Sequence, residues 1–177
     1  PVAGADRLSL PGHIAVKDLI ALGHLLIQPQ DDLSLAAVLR SPIFDLPEEA
    51  LFTLAAQRPP GLSLAASLRQ QATENEPLAK IVSQLDLWAD EAAFKPVFEF
   101  YAGLLACHGV GGSDGVRRRM IARLGPEAGD ILDEFLSFSW PRNGPAYPGW
   151  KLFCRRWKMP APRSSARWTR RATRFAS

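Results

Sequence analysis

A chain of 177 residues with 47% apolar content and a mean hydropathy of −0.05 has the make-up of a globular domain, or of one domain with an appendage. No run of about 18 apolar residues occurs, so no helical membrane span is expected. The net charge of +3 hides a division: residues 1–140 carry 11 Lys/Arg against 18 Asp/Glu, whereas residues 141–177 carry 10 Lys/Arg and no acid.

The opening PVAGADRLSL has no initiator Met, basic region or apolar stretch, so it reads as the interior of a longer chain rather than a signal peptide. From Ala15 onward the apolar spacing is helical nearly throughout. AVKDLIALGHLLIQ (15–28) is apolar around most of its circumference, which predicts a buried helix ended by Gln28-Pro29. Asp31 or Asp32 can cap the next helix, 33–40, which stops at Ser41-Pro42. Pro47 and two glutamates open a helix over 47–57, and RPPG (58–61) is a loop. Helices follow over LSLAASLRQQA and EPLAKIVSQLDLWADEAA, with Trp88 as a core anchor. FKPVFEFYAGLLACHG (94–109) predicts helix packing through Val97, Tyr101 and Leu104, flanked by Phe98 and Leu105. A loop at 110–115 precedes a helix over 116–126 that ends at Gly125-Pro126. The last helix, 126–138, puts Ile131, Leu132, Phe135 and Leu136 on one stripe. The fold class is therefore all-α, a multi-helix bundle.

Chemistry-bearing patterns are sparse. No GxxxxGK[ST] loop, metal-ligand spacing or Ser–His or Cys–His nucleophile signature is present. Cys107 and Cys154 show no pairing pattern, which suits a reduced, cytoplasmic setting. Arg117, Arg118, Arg119 and Arg123 form the one basic cluster of the acidic body. They are candidate contacts for DNA phosphates, though a solvated helix face paired with nearby acids is the favoured reading.

Two stretches carry a resemblance. AVKDLIALGHLLIQPQDDLSLAAVLRSPIF (15–44) is similar to a segment of superfamily 1, UvrD-like DNA helicases, with matches at Val16, Lys17, Asp18, Leu19, Ala21, Leu22, Leu25, Pro29, Asp31, Asp32, Leu33, Leu35, Val38, Leu39 and Pro42. FEFYAGLLACHGVGGSDGVRRRMIARLGPEAGDILDEFL (98–136) resembles the AddA subunit of the AddAB helicase–nuclease. The resemblance implies that residues 1–138 are a helical 2B-like subdomain with part of 2A. The parent would be an ATP-dependent helicase and nuclease acting in recombinational repair of double-strand breaks. DNA and the AddB subunit would be its partners, and ATP and Mg²⁺ its cofactors. This segment contains none of the family's Walker lysine, Walker acids, arginine finger or nuclease motif, so no catalytic, cofactor-binding or metal residue is expected here. A Glu that often precedes the Val-Lys-Asp triplet is Ala15 in this chain.

Beyond residue 138 the resemblance stops where the charge changes sign. Reading the codons one base earlier forces some identities. Trp (TGG) becomes NTG, hence Leu, Met or Val, and Phe becomes NTT, always apolar. Cys after Phe becomes Leu, and Lys after Trp becomes Glu. In WKLFCRRWKM (150–159), positions 150, 153, 154 and 157 are then all apolar at helical spacing, with acids at 151 and 158. In WTRRATRFAS (168–177) the same shift permits MDAARDEVRV, close to what the family would show next, and a TGA stop after Ser177 would supply a following Met. Residues 139–177 therefore read as an out-of-frame, disordered tail. The alternative is a stand-alone helical module that binds nucleic acid through a basic C-terminal arm.

Overall fold

Helix starts coincide with residues that can satisfy, or dispense with, unpaired amides. The computed structural model describes residues 10–107, 114–139 and 150–157. Among them, a 3-10 turn (Leu10–Gly12) precedes nine α-helices and no strand: α1 (Ile14–Ile27), α2 (Asp32–Arg40), α3 (Glu48–Ala56), α4 (Leu64–Gln71), α5 (Glu76–Phe94), α6 (Val97–Ala106), α7 (Val116–Leu124), α8 (Glu127–Ser139) and α9 (Trp150–Arg156). The protein is all-α, as the periodicity predicts. The side chains of His13, Asp31, Ser63 and Asn75 cap α1, α2, α4 and α5, and Pro47 and Pro96 stand at the N-caps of α3 and α6.

Between the two candidate caps, Asp31 is the one used. Its carboxylate accepts from the Leu33 and Ser34 amides, both at 3.1 Å, and from Ser34 Oγ at 2.6 Å. Asp32 instead reaches across the chain, accepting from Arg58 Nη1 at 2.6 Å and from the Leu64 amide at 2.8 Å. It thereby fastens the start of α4 to the start of α2.

The stretch 94–109 is not one helix. Phe94 ends α5, Lys95 is extended (ψ 138°), and α6 begins after Pro96. The proline ring disfavours helical geometry in the residue before it, which sets the break. Phe94 is left 90% exposed, and Phe100 rather than Phe98 completes the buried stripe with Val97, Tyr101, Leu104 and Leu105.

Helix α1 is the axis of the core. Ala15, Val16, Leu19, Ile20, Ala21, Leu22 and Leu25 are all buried, and α2, α5, α8 and α9 pack against the helix. Tyr101 from α6 is fully buried and donates its hydroxyl to the Leu19 carbonyl at 2.8 Å, an acceptor on α1 itself. The contact needs Gly23: a Cβ there would stand 2.6 Å from Tyr101 Oη and 3.2 Å from Cys154 Sγ. Trp88 is buried as anticipated, tilted against Phe44 with ring centroids 5.5 Å apart.

One expectation is corrected. Residues 150–157, within the stretch read as disordered, form α9 and its C-cap turn, and bury Phe153, Cys154 and Trp157. The reason lies in the spacing: Trp150, Phe153, Cys154 and Trp157 fall at i, i+3, i+4 and i+7 in the frame as translated too. Trp150 meets Phe100 edge-on at 5.0 Å, Phe153 lies 5.9 Å from Tyr101, and Trp157 lies 5.5 Å from Phe135. The rest of the tail reading, at 140–149 and 158–177, lies outside the described residues, as does most of the 110–115 loop.

Gly23→Ala should destabilise the protein by about 1–3 kcal/mol in urea denaturation, because the new methyl displaces Tyr101. In a Tyr101→Phe background, which removes the nearest clashing atom, the same change should cost measurably less.

Candidate nucleic-acid interface

Helix α7 displays the four arginines, and the fold sends them in three directions. Arg117 faces α8. Its Nη1 and Nη2 donate to the two carboxylate oxygens of Asp133 at 2.7 and 2.8 Å, and Nη2 also reaches the Gly129 carbonyl at 3.3 Å. This fork-on-carboxylate pairing is directional and charge-assisted. It holds the Asp133 carboxyl below its ordinary range, chiefly through the hydrogen bond from Arg117.

Arg119 and Arg123, one turn apart, face the turn that follows α2. Arg119 Nη2 donates to the Ile43 carbonyl at 2.7 Å. Arg123 Nη1 donates to the Arg40 carbonyl at 3.3 Å and pairs with the Asp45 carboxylate. Asp45 sits in the left-handed region at φ 53°, a conformation that Asp tolerates better than most residues. The turn itself is tied by Ser41, whose Oγ donates to the Val38 carbonyl at 2.7 Å and accepts from the Ile43 amide at 3.2 Å. Burial pushes the Arg119 guanidinium down from its ordinary value, opposed by the charges of Asp45 and Asp114. Its Nε is buried without a hydrogen-bond partner among the described residues.

Arg118 turns outward. Its side chain is 79% exposed and makes a local i,i+4 pair with Asp114 at 3.1 Å. An exposed pair of this kind contributes about 0.2–1 kcal/mol and yields readily to a competing anion. The four candidate phosphate contacts are thus not one surface. Three are engaged by α8 or by the α2–α3 turn, and Arg118 alone presents most of its guanidinium to solvent.

The positions that carry the family resemblance divide likewise by structural task. Val16 and Pro42 are buried, and Lys17 is exposed. Asp31 and Asp32 cap and tie as described above. In Asp31, partial burial opposes ionisation, but the hydrogen bonds from Ser34 and Leu33 prevail and lower its pKa. Asp18, half-buried on α1, is the exception. Desolvation by burial raises its pKa to about 7, and the nearby Arg123 offsets only part of that. A buried carboxyl held near neutrality marks a place where charge is costly, and such groups gather at functional sites as well as in structural networks.

Two further ion pairs brace the bundle. Arg69 forks onto Asp86 at 3.0 and 2.6 Å, joining α4 to α5, and Arg40 meets Glu48 at 3.3 Å. Partners 17 and eight positions apart lie outside any local helical rule, so spacing alone does not reveal them. Among the described residues no group of three or more His, Cys, Asp or Glu could hold a metal ion, and no helix is long and apolar enough to cross a membrane. Comparison with family models, curated proteins and solved structures finds no match to this chain.

Because the folded Asp18 carboxyl ionises at about 7 rather than at its ordinary 3.8, folding favours its protonated form. Its stabilising contribution is complete below pH 4 and declines as the pH rises toward 7. Asp18→Asn should therefore leave stability nearly unchanged at pH 4 and raise it at pH 8. Urea midpoints measured across that range read the difference.

Proposed function

We propose that this chain is a non-catalytic helical scaffold segment of an AddA-type, ATP-dependent DNA helicase–nuclease subunit. Its parent would act in double-strand break repair by recombination. The observation that supports this most is that four of the residues carrying the resemblance hold structural positions. Val16 and Pro42 are buried, Asp31 caps α2, and Asp32 ties α2 to the start of α4. A segment that organises helices rather than chemistry should use its recurring residues in this way.

In this reading ATP and Mg²⁺ belong to other parts of the parent. No phosphate-cradling loop occurs in the sequence, and the described residues offer no metal-binding group. DNA would meet the segment through its solvent-facing basic side chains, Arg118 foremost. AddB would be a partner of the parent, and the compartment cytoplasmic. Arg117, Arg119 and Arg123 serve here chiefly as tethers that hold α7 against α8 and the α2–α3 turn.

A second reading is favoured by the docking of α9. A basic C-terminal stretch that contributes a helix to the fold suits a stand-alone module with a nucleic-acid-binding arm. Removing residues 158–177 separates the two. The scaffold reading expects loss of salt-sensitive, sequence-independent binding only, whereas the module reading expects loss of a specific partner.

The direct test is a chimera in which residues 10–139 replace the corresponding segment of an AddA-type subunit. DNA-stimulated ATP hydrolysis and unwinding should stay within about tenfold of the parent's, a barrier change of about 1.4 kcal/mol. A soluble chimera that assembles with AddB but has lost both activities would contradict the scaffold reading.

A further inference from the structure

Helix α9 occupies an apolar groove whose wall is made by Gly23 of α1, Phe100 and Tyr101 of α6, and Phe135 of α8. The fit is good in pattern and poor in detail. Phe153 and Cys154 are almost completely buried, and the rings meet mainly edge-on or tilted. Yet the indole N–H groups of both Trp150 and Trp157 are buried with no acceptor among the described residues. A buried donor that leaves water without finding a partner is destabilising, and buried indoles ordinarily find one. Two such defects lie on one helix face. In addition, α9 has no acid in its first turn, where one would match the positive end of the helix dipole.

Both faults disappear under a single change. Read one base earlier, positions 150 and 157 must be Leu, Met or Val, position 154 must be Leu, position 153 stays apolar, and position 151 must be Glu. The apolar spacing of the face survives the shift, both donors vanish, and an acid enters the first turn. The larger side chain at 154, beside Gly23, also recovers part of the volume that the two indoles give up.

We infer that the α1–α6–α8 groove is shaped for an amphipathic helix with aliphatic side chains at 150, 154 and 157 and an acid at 151, which α9 replaces imperfectly. The occupant is the helix that this same stretch of coding sequence specifies one base earlier. The inference rests on the out-of-frame reading of residues 139–177 and names what that reading leaves open, the surface on which the lost helix belongs. Apolar periodicity explains how the present α9 docks at all: the codons of Trp150, Phe153, Cys154 and Trp157 all begin with T, which the shift moves to the second position, where it specifies an apolar residue.

The test uses the full chain carrying Trp150→Leu, Lys151→Glu, Cys154→Leu and Trp157→Leu. Its thermal midpoint should rise by about 3 °C or more, the scale expected when one unpaired buried donor is relieved in a chain of this size. A second variant, Trp150→Phe with Trp157→Phe, removes the donors while keeping aromatic rings, and its midpoint should rise as well. A lower midpoint or an unfolded chain in the first variant overturns the inference, as does an unchanged or lower midpoint in the second. Sequencing the coding DNA tests the underlying reading separately. If the downstream codons, read one base earlier, do not continue toward a stretch such as VHGAKGLE, the out-of-frame reading falls whatever the groove accepts.

Discussion

Tyr101 approaches α1 closely at Gly23, and the arrangement of α1, α6, α8 and α9 depends on it. A tyrosine hydroxyl buried this deeply must be hydrogen-bonded, and the Leu19 carbonyl meets that need only if no side chain stands at position 23. Burial raises the pKa of the phenol well above its ordinary value, so the hydroxyl remains a donor under all ordinary conditions. Around this point Phe100 and Phe135 set their rings edge-on to Tyr101 at 5.4 and 5.0 Å, and α9 lies across the same cluster. The buried thiol of Cys154, its pKa raised to about 12 by burial, packs there as a small apolar group.

A second constraint is electrostatic and centres on α7. A guanidinium has five donors in a fixed fork, and on α7 those of Arg117, Arg119 and Arg123 engage two carboxylates and three backbone carbonyls. The basic cluster is therefore better described as fastening than as a phosphate-binding stripe. Asp18, close to Arg123 but short of compensation for its burial, is where that fastening is least complete.

Much of the fold was legible in the sequence because it rests on local rules. Prolines and capping side chains mark the ends of α1 through α5, and the 3.6-residue spacing marks the buried faces of α1 and α8. What could not be read depends on partners far along the chain. Gly23 resembles any helical glycine until Tyr101, 78 positions away, is placed against it. The aims of Arg119 and Arg123 are decided by carbonyls 76 and 83 positions distant. Residues 150–157 show the opposite error. Composition and charge argued for a tail, while four apolar residues at helical spacing were enough to dock a short helix. Of the candidate site, the residue types and their clustering were visible, but not that the fold would send them in three directions.

Amide hydrogen exchange on the intact chain tests the central claim, that one cluster around Tyr101 holds α9 to α1, α6 and α8. The amides of Gly23, Leu105 and Trp157 should exchange slowly and as one cooperative unit, losing protection together as denaturant is added. Rapid exchange at Trp157 alongside slow exchange at Gly23 and Leu105 would mean that α9 does not belong to that unit, and would contradict the account.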